Sequence, residues 1–281
     1  MTLTLTLLVL SAAVMHATWN ALVKAGSDKV VMQCLVIFVS GLPAVPLLPF
    51  VPVPEPAAWP FLLLSMLIHG IYYVTLTNSY RLGELSQVYP IARGAAPLMI
   101  ALGAWAFAGE AMRPLEWLGV VIASAGIMSL AAPGRIAREN GELKAIGFAL
   151  ATAVTIALYS LADGMGVRSV AEPLSYILWL LALEALPVLL VALWLRRGRV
   201  AASFGPHIKP AIFGGLIAGL GYGIVIWAMS RAPMAHVSAL RETSVILAAA
   251  IGALFLGEPF GRRRILAAAL VAGGNALLHL A

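Results

Sequence analysis

Two arginines lie inside long apolar stretches, each at the same distance from a Gly-Glu pair. Arg93 precedes Glu110 by 17 residues, and Arg241 precedes Glu258 by the same number (110 − 93 and 258 − 241). A guanidinium keeps its charge in proteins, and placing one at the centre of a bilayer costs at least ~2.5–3.5 kcal/mol. Its forked donors match the oxygens of a carboxylate, phosphonate or phosphate. The pair therefore predicts an interior anion site, unless each arginine only bonds backbone carbonyls at a helix break or extends its guanidinium to a membrane interface.

Glu242 directly follows Arg241 and is the acidic residue closest in sequence to this predicted site. Adjacent residues point about 100° apart on a helix, so a contact shared by the two is not expected. Glu242 could pair structurally with Arg93 or Arg231, hold an ammonium group of a substrate, or carry a coupling proton. Glu184, in another apolar stretch, is a weaker case for which a structural role is favoured.

His16 and Asn20 are four residues apart, which places them on one face of a helix beside Trp19. His16 could be a structural group, or it could bind substrate and titrate near physiological pH as a proton carrier. Tyrosines in other apolar stretches could complete a polar, aromatic wall or could serve packing alone. These are Tyr72, Tyr89, Tyr159 and Tyr222.

Two further features are expected to be structural. Gly215, Gly219 and Gly223 form a four-residue ladder that would allow close helix packing. Glu110 and Glu258 are expected to end helices at the membrane interface rather than to bind anything.

Motifs of catalytic chemistry are missing from the chain. The sequence has no His-Glu-x-x-His, no Gly-x-Ser-x-Gly, no P-loop and no Cys or His spacing suited to a metal. We therefore expect no catalytic residue, no metal, no cofactor and no activity as an enzyme. Without an ATP site, movement of a solute would be driven by a gradient or would be facilitative.

The elements that must position these residues are predicted to be transmembrane helices. The chain is 62% hydrophobic and 11% charged, with a mean hydropathy of +0.96, which excludes an ordinary water-soluble domain. The charged clusters leave ten apolar stretches of roughly 20 residues, the length of a membrane span. We place these spans at 3–23, 30–51, 58–80, 86–109, 115–132, 144–162, 173–195, 210–230, 235–257 and 263–281. A cleavable signal peptide over 1–21 is the rival interpretation of the first span, but the segment lacks a basic start.

The predicted spans divide into two repeats of five. With the Gly-Glu pairs superposed, Ala104-Trp105-Ala106-Phe107 matches Gly252-Ala253-Leu254-Phe255, and Gly126 matches Gly274. We predict a first five-helix repeat over 1–133, a linker over 134–143 and a second repeat over 144–281. Because five is odd, the second repeat must enter the membrane inverted relative to the first. The predicted fold class is an all-α integral membrane protein of ten helices.

Basic residues predict how the chain is oriented. The loops after the odd-numbered spans carry 13 Lys and Arg, whereas the other loops carry three. The positive-inside rule therefore places the basic loops in the cytoplasm and both termini on the other side of a cell (inner) membrane. The formal charge of +6 thus indicates topology rather than a nucleic-acid partner.

The chain resembles a ten-helix, EamA-type member of the drug/metabolite transporter superfamily. The resemblance rests on His16-Ala17-Thr18-Trp19-Asn20, on Tyr80-Arg81 leading into Tyr89-Pro90, and on the two Gly-Glu endings. It implies a central cavity lined by spans one, three, four, six, eight and nine, with alternating access from two faces. It is weak for substrate, since relatives move amino acids, sugars, nucleotide-related metabolites and drugs.

We expect a secondary transporter of a small anionic or zwitterionic metabolite, such as an amino acid, a phosphonate or a similar organic acid. An exporter of cationic or aromatic drugs is the alternative, and it would need a carboxylate-rich cavity. From another class, a membrane-embedded enzyme would need a reactive constellation, and a scaffold would not need matched arginines. The expected partners are the substrate and the lipid bilayer, and ten helices could suffice as a monomer.

Overall fold

Helices make up the regular secondary structure of the computed structural model. It describes residues 1–83, 85–131, 141–195, 205–247, 250 and 261–280, and no strand occurs among them. The α-helices are α1 (Leu3–Ala25), α2 (Lys29–Gly41), α3 (Trp59–Leu82), α4 (Leu85–Phe107), α5 (Pro114–Met128), α6 (Gly141–Arg168), α7 (Pro173–Leu195), α8 (Ile208–Met229), α9 (Met234–Arg241) and α10 (Arg262–Leu280). They follow the predicted spans, because an apolar stretch in lipid satisfies its backbone polar groups internally as a helix.

The second predicted span, 30–51, changes helix type part of the way along. The α-helix ends at Gly41, and a 3-10 helix follows over Val45–Phe50 with Pro49 inside it. Proline lacks the N–H that an α-helix requires, so the closely spaced prolines of this segment end α2 early. In contrast, α4 continues through Pro90 and Pro97, and no helix break surrounds Arg93.

The ninth predicted span, 235–257, is interrupted at its charged pair. α9 ends at Arg241, Glu242 lies in a turn with φ −70° and ψ −9°, and helical backbone resumes over 243–247. The rest of this span, apart from residue 250, lies outside the described residues, as do Glu258 and most of the predicted linker.

Several helices have the length and composition of membrane spans. Within the described part of the chain, six apolar segments are long enough to cross a bilayer, and Pro114–Met128 and Pro173–Ala185 are shorter apolar helices. The six are Leu3–Val23, Val31–Phe50, Pro56–Leu82, Gln87–Phe107, Leu143–Arg168 and Ile208–Met229. Large apolar side chains such as Leu63, Leu67 and Val74 of α3 face outward from the bundle. An exposed apolar surface of this kind indicates a membrane environment.

Helices of the two predicted repeats pack against each other. α3 packs against α6, α1 against α8, and α5 against α10. A Cβ atom added at Gly274 of α10 would lie 2.5 Å from the carbonyl oxygen of Gly119, and one added at Gly219 of α8 would lie 2.5 Å from that of Ser40. Gly215 and Gly219 of the ladder therefore allow close packing against α2, as expected, whereas Gly223 faces Ile177 of α7.

The two ends of the described chain meet at one end of the bundle. The Thr6 hydroxyl at the start of α1 lies 3.4 Å from Nε2 of His279 at the end of α10. This position is what an even number of antiparallel spans requires.

Candidate functional site

A cavity of about 100 Å³ lies between helices from both predicted repeats. Seven of the predicted site residues contribute to its wall: His16, Trp19, Tyr72, Arg93, Tyr159, Tyr222 and Arg241. The other lining residues are Ala12, Gln33, Ile37, Ser40, His69, Tyr73, Leu181, Glu184, Ile217, Ala218, Gly221 and Val225. The wall therefore includes α2 and α7, which the family resemblance did not imply.

The two predicted arginines meet at one carboxylate. Arg93 Nε lies 2.7 Å from Oε2 of Glu242, and Arg241 Nε lies 3.7 Å from Oε1 of the same side chain. Both arginines are 4% exposed and Glu242 is fully buried. Two guanidiniums and one carboxylate leave one excess positive charge in this group, which we call the arginine cluster.

Several donor atoms of the arginine cluster have no hydrogen-bond partner among the described residues. Among the described residues, Nε and Nη2 of Arg93 and of Arg241 have no hydrogen-bond partner, because the contacts with Glu242 are not aligned as hydrogen bonds. A buried donor without a partner costs about 1–3 kcal/mol, and more when it is charged. An oxyanion in the cavity would remove this cost by accepting hydrogen bonds from both arginines.

The break in the ninth span accounts for this geometry. On a continuous helix Arg241 and Glu242 would point about 100° apart, which is why a shared contact was not expected. That expectation was wrong, since the helix ends at Arg241 and Glu242 occupies the turn. The turn brings the Glu242 carboxylate between its neighbour and Arg93, which also agrees with the structural pairing considered for Glu242.

Aromatic rings form another part of the wall. The His16 and Trp19 rings meet edge to face with centroids 5.0 Å apart. The Tyr159 ring lies 5.7 Å from that of Tyr72 and 6.3 Å from that of Tyr222. These rings give the cavity apolar surface together with phenol hydroxyls.

Three predicted site residues do not line this cavity: Glu242, which contacts the two arginines that do, Asn20 and Tyr89. The Asn20 side-chain amide donates to the backbone carbonyl of His16 at 2.7 Å, so it is used within its own helix. Tyr89 packs against a cluster that contains Ile127 and Val245.

A second ionic group, which sequence reasoning missed or set aside, lies on the wall. His69 Nδ1 lies 2.8 Å from Oε1 of Glu184, and the His69 ring stacks on Tyr159 at 4.0 Å. Nearby, Asp163 accepts hydrogen bonds from the hydroxyls of Tyr176 (3.1 Å) and Tyr222. The available signal was an ionisable residue inside an apolar stretch, which applied to all three. Glu184 was instead assigned to a peripheral helix.

Glu110 also differs from its prediction, because it binds partners across the bundle. Its Oε1 lies 2.7 Å from Nη2 of Arg168, and both carboxylate oxygens accept from the Met234 N–H at 3.0 and 2.9 Å. Gly109 lies two residues after the end of α4 and adopts a positive φ of +67°. The Glu110 N–H donates to the Ala104 carbonyl of that helix at 3.1 Å. This glycine-terminated helix end directs Glu110 towards the second half of the chain.

Arg168 completes this contact. Its Nε donates to the Met229 carbonyl at 2.8 Å, and its Nη2 donates to the Ala232 carbonyl at 2.9 Å. In the loop that follows Arg168, the Ala171 N–H donates to Oε1 of Glu55 at 3.0 Å. We call the end of the bundle that carries Glu55, Glu110, Arg168 and Met234 the latch end.

No metal centre is evident at these sites. Within the described ranges, no three His, Cys, Asp or Glu side chains converge as a metal ion would require.

Comparisons with known proteins agree with this arrangement. The chain matches the model of the EamA-like transporter family twice, over residues 3–132 and 143–280. It aligns with a solved structure described only as a crystal structure of a protein, at 19% identity and a TM-score of 0.79, covering 99% of this chain and 98% of that one. This likeness shows the shared fold. No curated protein matches the chain.

The family match covers nearly the whole chain in two repeats and confirms the resemblance found in the sequence. Its members are membrane transporters of the drug/metabolite type. Together with the apolar helices, the match indicates a multi-pass membrane protein. The chain belongs to the EamA-like transporter family.

Proposed function

We propose that the protein is a secondary transporter that moves a small anionic or zwitterionic metabolite through the central cavity by alternating access. The arginine cluster carries this proposal, because it presents one excess positive charge and unpartnered donors to the cavity. An amino acid, a phosphonate or a similar organic acid would supply oxygen atoms that accept hydrogen bonds from these donors. Each of these groups fits the two forks of a guanidinium pair.

The proposed topology is ten spans arranged as two inverted five-helix repeats. Both termini and the latch end lie on the non-cytoplasmic side of the cell membrane, as the distribution of basic loops predicts. The support is the contact between the two chain ends and the two separate family matches. In this arrangement the contacts of Glu110 must break when the cavity opens towards the latch end.

Flux into sealed proteoliposomes tests the transport role. We expect Arg93→Lys and Arg241→Lys to weaken substrate affinity by roughly 10–100-fold, because a charge-assisted hydrogen bond contributes about 1.5–3 kcal/mol and Lys lacks the fork. The matched control is Arg231→Lys. Arg231 lies over the Trp227 ring at 5.6 Å and does not line the cavity. Full transport by both cavity variants would overturn the proposal.

A cationic or aromatic substrate is the second candidate, which Glu184 and the aromatic wall favour. A thermal-shift screen of anions, zwitterions and cationic dyes separates the two. A ligand at 100 times its dissociation constant stabilises the native state by ~2.7 kcal/mol. Stabilisation by anions or zwitterions that is lost in Arg241→Ala supports the first candidate. Stabilisation by dyes alone, undiminished in that variant, supports the second.

A further inference from the structure

We propose that His69, Glu184 and Asp163 form a proton-binding site that couples transport to a proton gradient. This inference rests on the proposed transport function and adds its driving force. The three side chains come from α3, α7 and α6 and are buried, with exposed fractions of 7%, 8% and 0%. Burying an ionisable group inside apolar membrane helices costs free energy, so the convergence of three such groups indicates a function.

The hydrogen on His69 can be assigned from its contacts. Nδ1 lies 3.0 Å from the Ser65 carbonyl oxygen and 2.8 Å from Oε1 of Glu184, and both atoms are acceptors. Nδ1 therefore carries a hydrogen, and Nε2 is the ring atom at which a proton can be gained or lost. The contact with Glu184 is not aligned as a hydrogen bond, so the buried Oε1 of Glu184 has no hydrogen-bond partner among the described residues.

Asp163 extends this group away from the cavity. The Ser65 hydroxyl lies 3.3 Å from His69 Nδ1, and Tyr159, from the same helix as Asp163, stacks on the His69 ring. The Tyr222 hydroxyl, which reaches Asp163 from α8, belongs to a side chain of the cavity wall. A continuous set of polar groups thus leads from the cavity to Asp163.

The chemistry around Asp163 suits a proton better than a metal cation. Tyr176 and Tyr222 both point their hydroxyl hydrogens at the carboxylate. A hard cation instead needs six or more oxygen lone pairs directed at it. Hydrogen donors stabilise a carboxylate between proton-binding events, whereas they would repel a cation.

Other titratable groups face the site from each neighbouring helix. They are Tyr72 and Tyr73 on α3, Tyr159 on α6, Tyr176 on α7 and Tyr222 on α8, with Arg93 on α4 and Arg241 on α9 across the cavity. The nearest of these are phenols rather than carboxylates or imidazoles. The exchangeable proton is therefore confined to the histidine and the two carboxylates.

The position of the site suits coupling. Asp163 precedes Arg168 by five residues of α6, which is about 7.5 Å of helix rise below the latch end. The Tyr159 ring stacks on His69 and lines the same cavity as both arginines. One side of the cavity can therefore bind an anion while the other binds a proton.

The proposed step balances in charge. One O–H bond of a hydronium ion on the open side breaks and leaves water, while its proton forms an O–H bond with a carboxylate oxygen of the site or an N–H bond at His69 Nε2. A monoanionic substrate binds the arginine cluster in the same state, and both leave on the other side without any change in covalent bonds of the substrate. The pair crosses as an electroneutral unit.

Infrared difference spectroscopy of the purified full chain tests proton binding without a substrate. Lowering the pH from about 8 to about 5, the range in which histidine and perturbed acids titrate, should reveal a carboxylic acid C=O band. Asp163→Asn or Glu184→Gln should remove or shift this band. The control variant Glu55→Gln, at an exposed carboxylate outside the helices, should leave the band in place. A band that persists in both site variants would overturn the proposal.

Proteoliposomes test the coupling. For a one-proton symport of a monoanion, a pH difference of one unit should sustain a ~10-fold accumulation of substrate. At equilibrium the free energy of the ~10-fold proton gradient equals that of a ~10-fold opposing substrate gradient. Asp163→Asn should abolish accumulation yet retain exchange of labelled for unlabelled substrate, because Asp163 does not line the cavity. Asn can accept from one tyrosine hydroxyl through its amide oxygen and donate its amide N–H to the oxygen of the other, which keeps both contacts.

The outcomes separate this inference from the proposed function. If the wild-type protein exchanges anions but a pH gradient drives no accumulation, the coupling proposal fails and the transport proposal stands. If no anion or zwitterion is exchanged, the proposed function fails, and the infrared titration alone decides whether the proton site exists.

Discussion

Arg168 and Glu110 join the end of α6 to the loop after α4, with Nη2 and Oε1 2.7 Å apart. The family matches place these residues in different repeats. The same carboxylate accepts from the first N–H of α9, and the same guanidinium donates to the last carbonyl of α8 and to the Ala232 carbonyl in the following loop. One ion pair thus ties four helix ends together at the latch end.

Exchanging the charges of this pair should not restore it. Glu110→Arg combined with Arg168→Glu would place a cation at the N-terminus of α9 and an anion at the C-terminus of α8, both against the helix dipoles. We expect the double variant to unfold at a lower temperature than the wild type, with a coupling free energy of about 0.5–3 kcal/mol in a double-mutant cycle.

Glu172→Gln is the control for the latch variants, because this exposed residue lies on the loop that follows Arg168. Thermal unfolding of the four proteins of the cycle gives the coupling free energy. A charge-exchanged protein as stable as the wild type would show that the capping contacts of the pair are dispensable.

Glu242→Gln should be among the most destabilising substitutions in the chain. It leaves two buried guanidiniums without a counter-charge, and breaking a buried ion pair in this way costs about 3–5 kcal/mol. Glu242→Gln/Arg93→Gln should be more stable than Glu242→Gln alone, because the double variant again carries one excess positive charge. Unfolding midpoints measured with and without an added organic acid check this order. Equal stability of the single and double variants would contradict the charge assignment.

Gly219→Ala should separate α8 from α2. The added methyl group would lie 2.5 Å from the Ser40 carbonyl oxygen, and overpacking of this kind typically costs about 1–3 kcal/mol. Gly70→Ala on α3 is the matched control, because no neighbouring atom lies within 4 Å of the new Cβ. The control should be neutral or stabilising by up to about 1 kcal/mol. Thermal unfolding of the two variants side by side measures the difference.

Glu55 should contribute a pH-dependent part of the stability. The Ala171 N–H donates to its carboxylate and lowers the pKa of Glu55 from its ordinary value of 4.5. A lowered pKa in the folded state means that the contribution is present above the ordinary value and is lost as the pH falls through the folded value. The difference in unfolding temperature between wild type and Glu55→Gln should therefore shrink below about pH 4.5. A difference that stays constant from neutral to acidic pH would show that the carboxylate charge plays no part.

The helices and the arginine pair could be predicted from the sequence, because both depend on local properties. An apolar stretch of about 20 residues becomes a helix in lipid regardless of its neighbours. An arginine in such a stretch is anomalous wherever it occurs, so Arg93 and Arg241 were recognisable before any fold was known. The repeat was likewise visible, since matching residues recur at equal spacing along one chain.

The partners of each charged residue were decided only by the tertiary structure. Glu242 reaches Arg93 because the ninth span ends in a turn, and Glu110 reaches Met234 across 124 positions of the chain. His69, Asp163 and Glu184 meet because three separate helices pack together around Ser65 and Tyr159. Hydrogen bonds and ion pairs act over a few ångströms, and spacing along the sequence determines such distances only within a single helix.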